Sequence, residues 1–218
     1  MKLNRLFLLV ALVASPAFAT QYTIDFDKTW DYANADVNGY YNGGIAADGT
    51  TGTNLGVSFV NVSGLSNDAN FTYFTNAPSM QGIAFPHDTA YMNIARGVDG
   101  ILPFFYSSPV DVTDAVKAYA GPDGTGILLG SLNLTATGGS FRPDGSYAYD
   151  AWAPINFRFN GSAKSFDLTA ATAVGFDNVG IVPEPGSLAL MLAGGVPLAL
   201  RRIGPINRRK PAAAQSLE

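Results

Sequence analysis

The chain has no cysteine, a single histidine and only two glutamates in 218 residues. Without cysteine there can be no disulfides, thiol nucleophiles or thiolate metal centres, so an exported form must rest on its apolar core, which a body of this size can supply. The one imidazole, His87, is all that a Ser-His-Asp arrangement could use, and Asp88 beside it is badly placed to orient its ring. Its setting, after Pro86 in "FPHDTAY", reads as a turn. No Gly-x-Ser-x-Gly elbow and no His-Glu-x-x-His pair occurs. Both glutamates, Glu184 and Glu218, lie beyond residue 181. Aspartates could still cleave glycosides as a pair, yet nothing in the sequence singles out two of them. A non-enzymatic role is therefore expected, with a secreted carbohydrate-active enzyme using an aspartate pair as the alternative.

Positive charge is also scarce. Between Thr20 and Ile181 the basic residues are Lys28, Arg96, Lys117, Arg142, Arg158 and Lys164, against fifteen aspartates, which leaves a formal charge of −9. Such a body repels phosphate backbones, so nucleic acid is not an expected partner. The acidity is compatible with calcium or simply with solubility.

A convincing 3.6-residue period is missing from the body. Short runs rich in aromatic and β-branched residues take its place, separated by turn residues. They are Tyr22–Phe26, Gly56–Val62, Phe71–Thr75, Ala90–Ala95, "ILPFFYSS", "VTDAVKAYA", "GILLGSLNLTA", "APINFRFNG", "KSFDLTA" and "VGFDNVGIV". "AGPDGTG" (Ala120–Gly126) is a turn with a mechanism, and "FRPDGSYAYD" reads as a loop. The Gly-, Asn- and Asp-rich stretch Tyr32–Asn54 reads as a long surface loop. Strands spaced by about ten residues without intervening helices predict one all-β sandwich over 20–181, jelly-roll-like, with an open barrel as the next choice.

The two ends differ from the body. Residues 1–19 join Lys2 and Arg5 to an apolar run and to Ala17-Phe18-Ala19, the layout of a secretory signal peptide with its cleavage site. From Val182 the sequence reads "VPEPGSLALMLAGGVPLALRR". Pro183 and Pro185 favour an extended backbone. The apolar run Gly186–Leu200 would span roughly 22 Å as a helix, short against a hydrocarbon core of about 30 Å. Arg201 and Arg202, with Arg208, Arg209 and Lys210 in the tail 203–218, mark a cytoplasmic end.

This segment, 182–202, resembles the PEP-CTERM sorting signal of Gram-negative bacteria in its Pro183-Glu184-Pro185 triplet, short apolar helix and Arg201-Arg202 cluster. The resemblance implies processing by signal peptidase and by an exosortase, transient insertion in the inner membrane, and a final place on the cell surface or in the extracellular matrix. A plain membrane anchor without processing is the other reading. The body is similar, more loosely, to the jelly-roll modules often found before this signal, which implies a structural, adhesive or polysaccharide-binding role. In carbohydrate-binding jelly rolls an aspartate near the C-terminus joins N-terminal acids around a structural calcium. By that likeness Asp25, Asp27 and Asp177, with Asn178, are candidate ligands. The other reading has Asp177 bonding backbone groups at a strand end and Asp25 facing solvent. Among Trp30, Tyr32, Tyr40, Tyr41, Trp152 and Tyr147–Tyr149, the rings of Trp30, Tyr40 and Tyr41 are the candidates for stacking on sugars, set against the tendency of tryptophan to be core.

Overall fold

The computed structural model describes residues 21–67 and 73–182. The expected signal peptide with Ala17 and Ala19, the sorting segment from Pro183 through Arg201 and Arg202, and the tail 203–218 lie outside the described residues. The described residues belong to one compact unit, Ala19–Glu184. Its strands are β1 (Tyr22–Ile24), β2 (Val57–Ser66), β3 (Gly82–Ser107), β4 (Val112–Tyr119), β5 (Leu128–Leu134), β6 (Ala153–Asp167), β7 (Gly175–Asp177) and β8 (Val179–Ile181). The only helical element among the described residues is a 3-10 turn, Tyr32–Asn34. The unit is all-β and sandwich-like.

The main sheet runs β2-β3-β6-β4-β5, with β7 also pairing β3, while β1 and β8 pair apart from it. Every pairing is antiparallel. The two expected strands Ala90–Ala95 and "ILPFFYSS" are parts of one strand, β3. Its joint, Arg96–Gly100, is not a turn: Gly97 and Gly100 take φ values of 78° and 65°, and the register to β6 shifts on both sides of Val98 and Asp99. A straight strand of this length would run roughly 85 Å. Instead β7 pairs with both Ala84 and Tyr106, so the strand bends back over its own start.

β6 bends likewise. Phe157 and Phe166 would stand roughly 30 Å apart on a straight strand, yet their ring centroids are 6.2 Å apart, across a bend at Gly161 with φ 91°. Bulges and glycine kinks are how one sheet turns into a second layer. The core lies between the layers, with Phe26, Phe59, Met92, Leu102, Phe104, Val116, Phe157, Phe166 and Phe176 all buried. Tyr22 pairs with Ile181, so the first and last strands meet as the sequence suggests.

Two expectations change. Tyr73–Thr75 is loop rather than strand; Asn76 at φ 57° and Pro78 break any extension, and Phe74 packs with Ala77 and Ile83 in a small separate cluster. The stretch Tyr32–Asn54 is irregular, as expected, but it also buries Val37, Tyr41 and Ala46 against the core.

Candidate functional site

The outer edge of β2 is capped by the chain before it. Val37 N donates to Val62 O, Phe59 N to Asn38 O and Gly64 N to Ala35 O, at 2.8–2.9 Å. These bonds lay residues 35–38 beside β2 and set Asp36 opposite Ser63. Immediately before them, Asp31 caps the 3-10 turn through its Oδ1, which accepts from Ala33 N, while its Oδ2 accepts from Asn34 Nδ2. The capped turn leaves Tyr32 83% exposed.

A bulge brings in the histidine. Val60 pairs with Tyr91 and Val62 with Pro86, so His87–Ala90 stand opposite the single residue Asn61. Asn61, at φ 50°, donates from Nδ2 to the carbonyls of Asp88 and Thr89 at 3.1 Å. Bulges commonly re-aim a side chain toward a site. Here His87 Nε2 comes 2.8 Å from Ser63 Oγ, which lies 2.8 Å from Asp36 Oδ1.

Tyr32, Asp36, Ser63, Phe85 and His87 line an open groove of about 490 Å³. The wall at Phe85 is stiffened by edge-on contact with Tyr149 at 4.8 Å. Ser63 stands between the acid and the imidazole. Its one proton goes to the Asp36 carboxylate, so its lone pair faces an N–H on His87. In a hydrolytic triad the imidazole stands between acid and hydroxyl and takes the hydroxyl proton; this order is the reverse. What the groove offers is an exposed ring face beside a carboxylate acceptor, a hydroxyl and an imidazole. That set can hydrogen-bond a polyol and stack on its apolar face.

The expected calcium ligands lie near one another at the junction of the first and last strands. Asp177 is fully buried. Its Oδ2 accepts from Ser79 N at 2.7 Å, and its Oδ1 lies 2.5 Å from Ser79 Oγ and 2.7 Å from Asn178 N. Ser79 Oγ also reaches Asp25 O at 2.7 Å. Asp27 Oδ1 accepts from Gln81 N and Gly82 N, and Asp25 Oδ1 accepts from Asp27 N. Desolvation raises the Asp177 carboxyl to about 6, with the charge of Asp27 adding and bonds from Ser79 and Asn178 opposing. Calcium needs six to eight oxygens turned inward. Here the carboxylates face N–H and O–H donors, and among the described residues no three acidic or histidine side chains are grouped to hold a metal. The residues do not fit a calcium cage as they stand. They fit a latch that ties the loop before β3 to the two ends of the body.

The ring-stacking candidates also change. Trp30 is 4% exposed and Tyr41 is 6% exposed. Trp30 lies over Gly64, where an added Cβ would come 2.2 Å from its ring, and donates from Nε1 to Phe26 O. Tyr41 packs edge-on to Phe26 and Phe59, and burial raises its hydroxyl pKa far above the usual phenol value. Tyr40 is half-buried against both. Lys28 Nζ sits 4.2 Å from the Trp30 ring and 5.1 Å from Tyr40 and bonds Asp48 at 2.5 Å. Partial burial pulls Asp48 up, but bonds from Lys28 and Thr50 outweigh it and bring its carboxyl down to about 2. These rings are fastened in place. Among the rings considered for sugar stacking, the exposed one is Tyr32, at 83%.

The fold and groove define an all-β, sandwich-like body with an aromatic and polar cleft beside a sheet edge. No family model and no curated protein matches the sequence. Among solved structures, the chain is similar to a glycoside hydrolase family 43 arabinoxylan arabinofuranohydrolase from Bacillus subtilis, at TM-score 0.35 and 17% identity over 50% of this chain and 23% of that one. It is also similar to the K3 cleaved adhesin domain of Lys-gingipain from Porphyromonas gingivalis W83, at TM-score 0.31 and 18% identity over 77% of this chain and 94% of that one. The chain thus spans less than a quarter of the first of these proteins.

Proposed function

We propose that this chain is an exported surface or extracellular-matrix protein, sorted by a PEP-CTERM/exosortase-type system, whose jelly-roll-like body binds extracellular polysaccharide without cleaving it. The observation that carries the binding reading is the groove: Tyr32 stands 83% exposed beside Asp36, Ser63 and His87, bonded to one another at 2.8 Å. A sugar ring laid on Tyr32 would present its hydroxyls to that polar row. The charge of −9 between residues 20 and 181 favours a neutral glycan over an acidic one.

Support for sorting comes from the sequence: a leader ending Ala17-Phe18-Ala19, then Pro183-Glu184-Pro185 and Arg201-Arg202 at the far end. Signal peptidase and exosortase are the processing partners. The protein passes through the inner membrane and is anchored there only transiently.

The test has two arms. A glycan array probed with the full chain, with a parallel hydrolysis screen, is expected to give binding to neutral glycans and no products. Turnover of any polysaccharide would overturn the non-catalytic reading. The mass of the secreted form is expected to lack the residues after the Pro-Glu-Pro triplet, whereas a secreted chain intact to Glu218 would sink the sorting reading.

A further inference from the structure

Among the stretches of the sheet that pair on one side only are the outer edge of β2, the first half of β6 and β5, and the first two are protected. The outer edge of β2 is covered by residues 35–38. Among the described residues the first half of β6 pairs only with β3, and it carries Pro154 and Arg158. The third is β5, which among the described residues pairs only with β4. From Gly124 to Phe141 there is no proline and no charged residue. Ile127 is 73% exposed and Leu128 50% exposed at the head of the strand. Natural sheets guard open edges with charge, proline or a cover, because an open edge is a template for another strand. Among the described residues none of these guards β5.

We propose that β5 is a self-association edge, at which a second copy of this chain pairs antiparallel about a twofold axis and continues the sheet across two bodies. Charge selects the occupant. Two bodies of −9 repel wherever their aspartates face each other. The Gly124–Phe141 segment is where two copies can meet without that repulsion, and an uncharged apolar strand is complementary to itself. The nearest acid on β4, Asp114, is already engaged, accepting from Ser131 Oγ at 2.5 Å and lying 3.6 Å from Lys117 Nζ. Antiparallel pairing about a twofold is isologous, so it closes as a dimer rather than growing into a fibre.

The absence of native cysteine makes the test clean. Cysteine is placed singly at each position from Ile127 to Asn133 in the full chain, held in nonionic detergent, and oxidised, with Thr53→Cys and Thr172→Cys as exposed controls off the edge. Each step away from the twofold separates symmetry mates by about 7 Å, and a disulfide needs Cα atoms within about 7 Å. The expected result is a sharp peak of disulfide-linked dimer at one position or two neighbours, several-fold above the controls and rising with salt. Adding Leu128→Lys to the best variant (Ile127→Lys if that cysteine is at 128) should return it to the control level. A thermal midpoint near that of the parent chain confirms that each variant is folded. Cross-linking that is flat along β5, whether at or above the controls, overturns the proposal.

Discussion

Ser79 has one hydroxyl proton and two oxygens within reach of it, Asp25 O at 2.7 Å and Asp177 Oδ1 at 2.5 Å. When the hydroxyl donates to the carbonyl, its lone pair faces Asp177, and a protonated Asp177 supplies the missing hydrogen. Desolvation raises this carboxyl to about 6, against about 3.9 in an unfolded chain. Because the folded value is higher, the group's contribution is complete below about pH 4 and is lost as pH rises through 6. Asp48 acts in the opposite sense: its folded value is depressed to about 2, so its contribution is lost as pH falls from about 4. The thermal midpoint is therefore expected to rise from pH 7.5 to pH 5 by an amount on the order of 2 kcal/mol, or roughly 5 °C, and to fall again in stronger acid. Asp177→Asn should flatten the upper limb. A wild-type midpoint that is unchanged between pH 5 and 7.5 would contradict the latch. Added calcium or chelator is expected to leave the midpoints alone.

At the scale of the element, glycines inside strands decide where the large rings go. Gly64 in β2 and Gly82 in β3 lie under Trp30, and a Cβ on Gly64 would come 2.2 Å from the ring. Gly64→Ala is expected to cost about 1–3 kcal/mol through overpacking, measured by urea unfolding; a neutral result would show that the ring can move aside. That pair of glycines was the sequence signal for Trp30, because an isolated glycine within a strand marks close approach. Its polar neighbours in "DKTWDY" point instead to an exposed ring. Most strands were legible from composition, though Tyr73–Thr75 is loop and the start of β3 at Gly82 was not foreseen; the turn Ala120–Gly126 was legible too, where Asp123 and Gly124 take φ values of 49° and 69°. The continuity of β3 was not: "RGVDG" has turn composition, and only pairing with β6 makes it a bend. The site was hidden for a similar reason. Asp36, Ser63 and His87 are joined by register and by the bulge at Asn61, over separations of 27 and 24 residues, and no local pattern links them.

On the scale of the whole molecule, three features divide the work. β1 and β8 tie the ends of the body together, with Tyr22 opposite Ile181. The groove lies at the β2 edge and the uncharged strand β5 at the opposite end of the sheet order. Under the proposed matrix role this separation is useful, since copies joined through β5 would keep their grooves free and present two to one polymer, raising avidity without any new contact. The central claim is that Tyr32 makes this body a polysaccharide binder. It is tested most directly by affinity electrophoresis of the wild type and Tyr32→Ala in gels containing the glycan that the array identifies. The account predicts retarded wild type and a roughly three- to tenfold weaker variant with an unchanged thermal midpoint. Equal retardation of the two proteins, or none of either, would contradict it.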